Sequence, residues 1–210
     1  MKLIAAGRAS EILDLGDGRV LRRFKTGGDP EREALVMRHA DRRGYPVPRV
    51  LEVRPDALVI ERIEGPTMAE QVAEQPETLR VNASLLARLH EQLHEIAAPP
   101  TLPAVTDGDR LLHLDLHPAN VILSASGPVV IDWTNARRGD PALDVALTWV
   151  IGATSSSWGE FLDHFLSHFD ERELLRALPI AARYRMADAN VTESERQAVR
   201  RLVEDAGVAS

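Results

Sequence analysis

Two stretches decide the reading of this chain: HLDLHPANVIL at residues 113–123 and VVIDWTNARRGDPALDVA at residues 129–146. In the first, Asn120 follows Asp115 by five positions, so one short loop offers a carboxylate and an amide oxygen. In the second, Val129, Val130 and Ile131 read as a strand, and Asp132 stands where that strand ends. A lone Asp after a strand is usually a turn residue, and His-x-Asp alone is a weak signal. The full order is far more specific: His113-x-Asp115, Asn120, about a dozen residues, an apolar strand and Asp132-Trp133.

Such parts suit phosphoryl transfer from ATP. That reaction needs an acceptor hydroxyl to be oriented and relieved of its proton, and magnesium to be held against the phosphates by oxygen ligands. What precedes the loop is strand-rich. EILDL (11–15) and RVLRRFK (19–25) flank Gly16-Asp17-Gly18, a hairpin turn signal. Asp29-Pro30 opens a helix expected to run to about Arg43 and stop at Gly44. YPVPRV (45–50) is extended, because a residue before proline avoids the helical region. Residues 50–54 and 57–62 read as another strand pair around Pro55-Asp56.

A break follows at Glu64-Gly65-Pro66, and Thr67-Met68-Ala69-Glu70 is a capping box. From about Glu77 to Ala97, Leu85, Leu86, Leu89, Leu93 and Ile96 recur at helical spacing. VIL and VVIDW around the turn SASGP form a small inserted strand pair. From Pro141 onward the pattern is helical, with breaks expected near Gly152, Asp170, Pro179 and Asn190. The layout predicts an α+β chain with an antiparallel-sheet lobe over residues 1–64 and a mainly helical lobe over residues 65–210.

HEQLH, at residues 90–94, competes for attention because it matches the zinc-protease pattern H-E-x-x-H. A zinc hydrolase needs a third protein ligand. The long metzincin form fails here, since Ala97 and Pro100 stand where Gly and His are required, and no Glu occurs between Glu95 and Glu160. Both histidines neighbour leucines of the buried stripe, so a packed structural pair is the expectation.

HLDLHPANVIL and VVIDWTNARRGDPALDVA resemble the aminoglycoside phosphotransferase family, small-molecule kinases with the protein-kinase-like fold. GRASEIL resembles its nucleotide-covering hairpin, PEREALVMRHA its first helix, VIERIEGPTM the segment joining its lobes and LLARLHEQLH the long helix below. The resemblance implies Asp115 as catalytic base and Asn120 and Asp132 as magnesium ligands. It implies Glu33 as partner of the cation on the α- and β-phosphates, Ser10 near the phosphates, and the backbone of Glu61, Arg62 and Ile63 against adenine. Asp144 is expected to brace the catalytic loop and His113 to be packed. Where relatives carry lysine on the second hairpin strand, this chain has Arg22. Val20, Arg22 and Phe24 share one strand face, which favours Arg22 as that cation, with Lys25 the alternative if a bulge shifts the register. Thr134 stands where relatives often carry Gly or Glu, and the 66 residues after Asp144 point to a compact acceptor.

Bulk properties fit. The 210 residues are 44% hydrophobic and 27% charged, enough for a core and too mixed for disorder. No cysteine is present, which removes disulfides and thiolate chemistry and fits a cytoplasmic protein. No apolar run approaches a signal-peptide core or the roughly 20 residues of a membrane span. Net charge is −7, against a nucleic-acid partner, and no protein partner is evident. Residues 1–64 carry 13 basic and 11 acidic groups, residues 65–210 carry 12 and 21, so phosphates suit the first part and a cationic acceptor the second. The expected function is an ATP- and Mg2+-dependent transfer of the γ-phosphoryl group to a small-molecule hydroxyl on an amino alcohol, aminosugar or antibiotic. A nucleotide-binding pseudokinase acting as sensor or scaffold is the alternative.

Overall fold

The structure, a computed structural model, describes residues 1–7, 10–25, 27–155 and 158–208. It opens with strands β1 (Lys2–Ala6), β2 (Ser10–Gly16) and β3 (Arg19–Phe24) and helix α1 (Pro30–Asp41). Strands β4 (Val50–Arg54) and β5 (Ala57–Glu61) complete one antiparallel sheet in the order β1-β2-β3-β5-β4. The β2–β3 turn places Gly16, Asp17 and Gly18 at positive φ, a region that glycine enters at no steric cost. Val20 and Phe24 of β3 join the main core with Leu58 and Ile60, while Leu21 packs with Ala57 and Val59 on the other face. Period-2 alternation thus holds through β3, with no shift of register at Arg22. Helix α1 is capped by the Asp29 side chain, which accepts from the Arg32 N–H, and Pro30 takes the first position.

The remainder is mainly helical. It comprises α2 (Met68–Glu74), α3 (Leu79–His94), β6 (Arg110–Leu112), β7 (Val121–Ser124), β8 (Gly127–Val130), β9 (Arg137–Gly139), α4 (Pro141–Ala153), α5 (Gly159–Leu166), α6 (Glu171–Ala187) and α7 (Glu193–Asp205). The Thr67–Glu70 capping box forms as its sequence predicts. Helix α4 is apolar nearly all round and is buried against α5, α6 and α7. The core runs continuously from the sheet through α1 and α3 to Trp133 and Phe165, so the two lobes share apolar packing. Tyr45 stacks edge-on against Trp133 with ring centroids 5.7 Å apart, and its hydroxyl donates to the Leu89 carbonyl. This is an α+β, two-lobe arrangement.

Three features differ from the sequence expectation. Strand β1 was not expected: all five of its residues are exposed at the sheet edge, so no alternation marks it. A second strand pair, β6 with β9, is made of three-residue segments too short to show a pattern. Pro179 breaks nothing and lies inside α6. The lost N–H there is outweighed by the packing of Leu174, Ala177, Leu178, Ala181 and Ala182, all buried.

Candidate active site

Four separate segments meet around Asp132; Arg22, Glu33 and Asp132 line one cleft, whereas Asp115 and Asn120 do not line it and Asp115 neighbours it through the Asp132 charge. β3 brings Arg22, α1 brings Glu33, the 113–120 loop brings Asp115 and Asn120, and the residue after Ile131 is Asp132. Leu114 and Asp132 both hold positive φ, 61° and 66°, conformations uncommon for residues with a side chain and concentrated at functional turns. A cleft of about 470 Å³ lies between the sheet and the helical lobe. Ile12, Val20, Ile60, Ile122 and Ile131 supply apolar walls, and Arg22, Glu33 and Asp132 supply a charged end. A hollow of about 570 Å³ behind α1, lined by Arg32, Arg38 and Arg42, contains none of these carboxylates.

Arg22 is the centre of the charged end. Its Nη2 donates to Asp132 Oδ1 at 2.5 Å and to Thr134 Oγ1 at 2.8 Å, and its Nε lies 3.5 Å from Glu33 Oε1. Thr134 Oγ1 is 3.0 Å from both Glu33 Oε2 and Asp132 Oδ1, and its single proton serves one carboxylate at a time. The Trp133 N–H also donates to Glu33. Lys25, the alternative cation, is exposed and donates to the Gly7 carbonyl instead. The sequence reading noted Thr134 only as a departure from relatives and gave it no role, because nothing local signals that Arg22 and Glu33 from distant segments meet on it.

The two aspartates differ in charge state. Burial, reinforced by the Asp132 charge, pushes the Asp115 carboxyl up to about 7. Burial works the same way on Asp132, but the Arg22 guanidinium beside it wins and holds its carboxyl below the usual range. Burial also raises Glu33, against the pull of Arg22. Asn120 Nδ2 donates to the Asp115 carbonyl at 2.8 Å and to Asp115 Oδ2 at 3.2 Å, fixing both residues in one loop geometry. On the outer side of Asp115 stand His117 and Trp158, with rings 5.9 Å apart, and Arg185 paired with Asp188 and Glu195. These outer residues carried no assignment in the sequence reading.

The remaining expected residues are placed as follows. Ser10 begins β2, is buried, and is not among the residues lining the cleft. Arg8 and Ala9 of GRASEIL lie outside the described residues. Glu61, Arg62 and Ile63 line the cleft rim. The Glu61 and Arg62 N–H groups already donate to the Arg49 and Gly18 carbonyls, while the Ile63 N–H has no backbone partner among the described residues. Asp144 is buried and accepts the N–H groups of His113 and Leu114. His113 is fully buried and donates through Nε2 to the Ile131 carbonyl.

Comparison with known proteins gives this geometry a context. The family model for the phosphotransferase enzyme family matches residues 92–180. A thiamine kinase of Escherichia coli (strain SMS-3-5 / SECEC) is 38% identical over 77 residues, 37% of this chain and 26% of that kinase. One from Shigella boydii serotype 4 (strain Sb227) is 51% identical over 39 residues, 19% of this chain and 14% of that kinase. The chain thus matches only about a quarter or less of these curated relatives' length. Among solved structures, a choline/ethanolamine kinase family protein from Mesorhizobium loti superposes with a TM-score of 0.62 at 18% identity, covering 96% of this chain and 85% of that one. Aminoglycoside phosphotransferase APH(4)-Ia superposes with a TM-score of 0.71 at 15% identity, covering 99% of this chain and 94% of that one. In its segment 92–180 the chain carries the sequence pattern of the phosphotransferase enzyme family, and as a whole it has the protein-kinase-like fold seen in aminoglycoside phosphotransferases and choline/ethanolamine kinases.

Proposed function

We propose that the protein transfers the γ-phosphoryl group of ATP to a hydroxyl of a small cationic molecule, with residues 1–64 binding nucleotide and residues 65–210 binding acceptor. The observation that carries this reading is a pair of neighbouring aspartates with opposed charge states, Asp132 at the charged end of the cleft and Asp115 beside it. Asp132 is held ionised beside Arg22, as a cation ligand must be, and Asp115 sits near neutrality, as a proton acceptor should. Arg22, braced by Glu33, is the cation for the α- and β-phosphates. The apolar walls accept adenine, with the Ile63 N–H the free donor at the rim. Ser10 has no place in this reading, because it is buried and does not line the cleft.

Magnesium fits the donor set. Asp132 and the Asn120 amide offer hard oxygens, and Mg2+ is ordinarily held by one or two carboxylates together with substrate phosphates. Bound there, it would neutralise charge building on the transferring group. Asp115 orients the acceptor hydroxyl and takes its proton, while Asn120 fixes the Asp115 loop. A cationic acceptor is suggested by the excess of acidic over basic groups in residues 65–210, 21 to 12, and by the Trp158–His117 aromatic pair beside Asp115, which suits an ammonium or thiazolium group. Thiamine, choline and ethanolamine are therefore the first acceptors to test, and the names of the relatives point the same way. ATP chemistry in a chain without cysteine suits the cytoplasm.

The test is incubation with ATP and Mg2+ and each of thiamine, choline, ethanolamine and an aminoglycoside, with phosphorylated product detected by mass spectrometry. One acceptor is expected to be converted, and Asp115→Asn is expected to lower its kcat by about 10²–10⁴-fold, the usual worth of a positioned base. Nucleotide binding without turnover of any acceptor would instead favour a sensor or scaffold.

A further inference from the structure

Two histidines at the end of α5 take no part in the cleft, yet both are aimed at one atom of α3. His164 Nε2 lies 3.0 Å from Ser84 Oγ, and His168 Nε2 lies 3.1 Å from the same oxygen. Their rings cross at 87° with centroids 5.5 Å apart. His164 stands in the last turn of α5, and His168 follows in the turn that closes the helix, an i, i+4 pair on one side. The placement follows from the sequence of α5. Phe161, Leu162 and Phe165 are buried, and the Phe165 ring lies 5.3 Å from that of His90, which seats α5 on α3. One turn before His164, Glu160 pairs with Arg80 at 3.3 Å. Glu160, His164 and His168 thus run along α5 opposite Arg80 and Ser84 of α3.

A hydroxyl carries a single proton. Ser84 donates it to one imidazole, and the other must present an N–H to the oxygen. A cation in that place would instead accept a lone pair from all three atoms at once. The spacing fits such an ion. Donors bound tetrahedrally at 2.0–2.1 Å lie about 3.3 Å from one another, close to the two separations from Ser84 Oγ. We propose that Ser84, His164 and His168 form a site for a late first-row transition ion, Zn2+, Ni2+ or Cu2+, that ties α3 to α5. Imidazole nitrogen selects these metals over magnesium, which takes oxygen ligands. Water completes the coordination sphere, so the ion is exchangeable rather than enclosed. The site stands independently of the phosphotransferase reading.

The remaining histidines are committed elsewhere. His39 bonds the Ala97 carbonyl, His113 bonds the Ile131 carbonyl, and His117 lies against Asp115 and Asn120. The HEQLH pair has the composition of a metal site, since ligand atoms of His90, His94 and Asp144 lie within 4.8 Å of one another. Its imidazoles are only 0% and 10% exposed, however. The Asp144 carboxylate already accepts the His94 ring N–H and the backbone N–H groups of His113 and Leu114. An ion there would have to displace those bonds, whereas His168 is exposed and its donors face water.

Untagged protein is titrated with NiCl2 by calorimetry, and loaded with one equivalent of Cu2+ for electron paramagnetic resonance. Wild type is expected to bind one ion, and the copper spectrum to show two imidazole nitrogens. His164→Ala and His168→Ala are each expected to weaken binding by tenfold or more and to leave one nitrogen, since even an outer partner of a metal ligand is worth about 10–100-fold. Ser84→Ala keeps both nitrogens and is expected to weaken binding less. His94→Gln is expected to change nothing. Undiminished binding in both His→Ala variants, or no binding by wild type at 1 mM nickel, would overturn the site. Loss of binding in His94→Gln alone would do so too, by moving the ion to HEQLH. Affinity and nitrogen count are read without turnover, so a chain that phosphorylates nothing sinks the kinase reading while these data still decide the metal site.

Discussion

Asp115 and Asp132 lie close enough to feel each other's charge, and the main difference between them is the guanidinium in contact with Asp132. Asp132 touches Arg22 and stays charged; Asp115 is largely buried without a cation in contact and faces the Asp132 charge, so its carboxyl rises to about 7 against the weaker pull of Arg185. A carboxyl whose folded pKa exceeds its unfolded one binds its proton better in the folded state. That contribution to stability is fully present below about pH 4, the unfolded value, and is lost as pH rises through about 7. Asp115→Asn removes the titration and keeps an acceptor for Asn120. Its melting temperature is expected to match wild type near pH 4 and to exceed it increasingly up to about pH 7, then level off. Calorimetry across that range checks it, and a pH-independent difference would show that Asp115 is not strained by ionisation. Wild-type kcat/KM is expected to rise through the same interval. Asp115, Asn120 and Asp132 could be proposed from sequence because they fall within 18 residues and the chemistry proposed for them depends on type and spacing. Arg22 was legible from strand alternation. Thr134 was not, because its partners Arg22 and Glu33 lie about 100 to 110 positions away in the chain.

At the scale of elements, the joint between sheet and helices depends on Gly65. Its φ of +144° is closed to ordinary side chains, and a Cβ there would overlap the Leu123 carbonyl of β7. The approach is tight because Leu123 N–H donates to the Pro66 carbonyl and Thr67 bridges Ile122, tying the entry of α2 to β7. Gly65→Ala is expected to cost about 2–4 kcal/mol, combining backbone strain and a clash with unyielding backbone. Gly127→Ala, at φ +124° but with open space around its missing Cβ, carries the strain alone and should cost less. Urea midpoints of the two variants separate the terms, and equal losses would remove the clash from the explanation. Capping residues made α1 and α2 readable from local sequence, since Asp29 and Thr67 act within their own first turns. Strand β1 lacked a signal because an exposed edge strand has no buried face to pattern. Pro179 misled for the opposite reason. A local breaker was overridden by the tertiary packing of α6 on α4, which no window of α6 alone contains.

For the whole molecule, the charged end of the cleft joins the lobes. Arg22 and Glu33 come from the sheet side, Asp132 and Thr134 from the helical side, and they are bonded to one another. On the proposed reading, a nucleotide arriving alone would bring triphosphate charge toward Asp132, which is held ionised, so repulsion would oppose the attraction of Arg22. On the same reading, a divalent ion arriving alone would find one protein carboxylate and one amide, too few ligands for tight binding. Together they cancel each other's deficit. The melting temperature is therefore expected to move little with ATP alone or with Mg2+ alone, and substantially with both. At 100 times the dissociation constant a ligand confined to the folded state adds about 2.7 kcal/mol, equivalent in a chain of this size to a rise of about 5–10 °C. Asp132→Asn removes the carboxylate that makes the two ligands interdependent. In that variant ATP alone should stabilise at least as well as in wild type, and added Mg2+ should contribute little more. An equal response to ATP with and without Mg2+ in the wild type would mean that Asp132 serves Arg22 alone, and the cleft would then be a nucleotide site without the means of transfer.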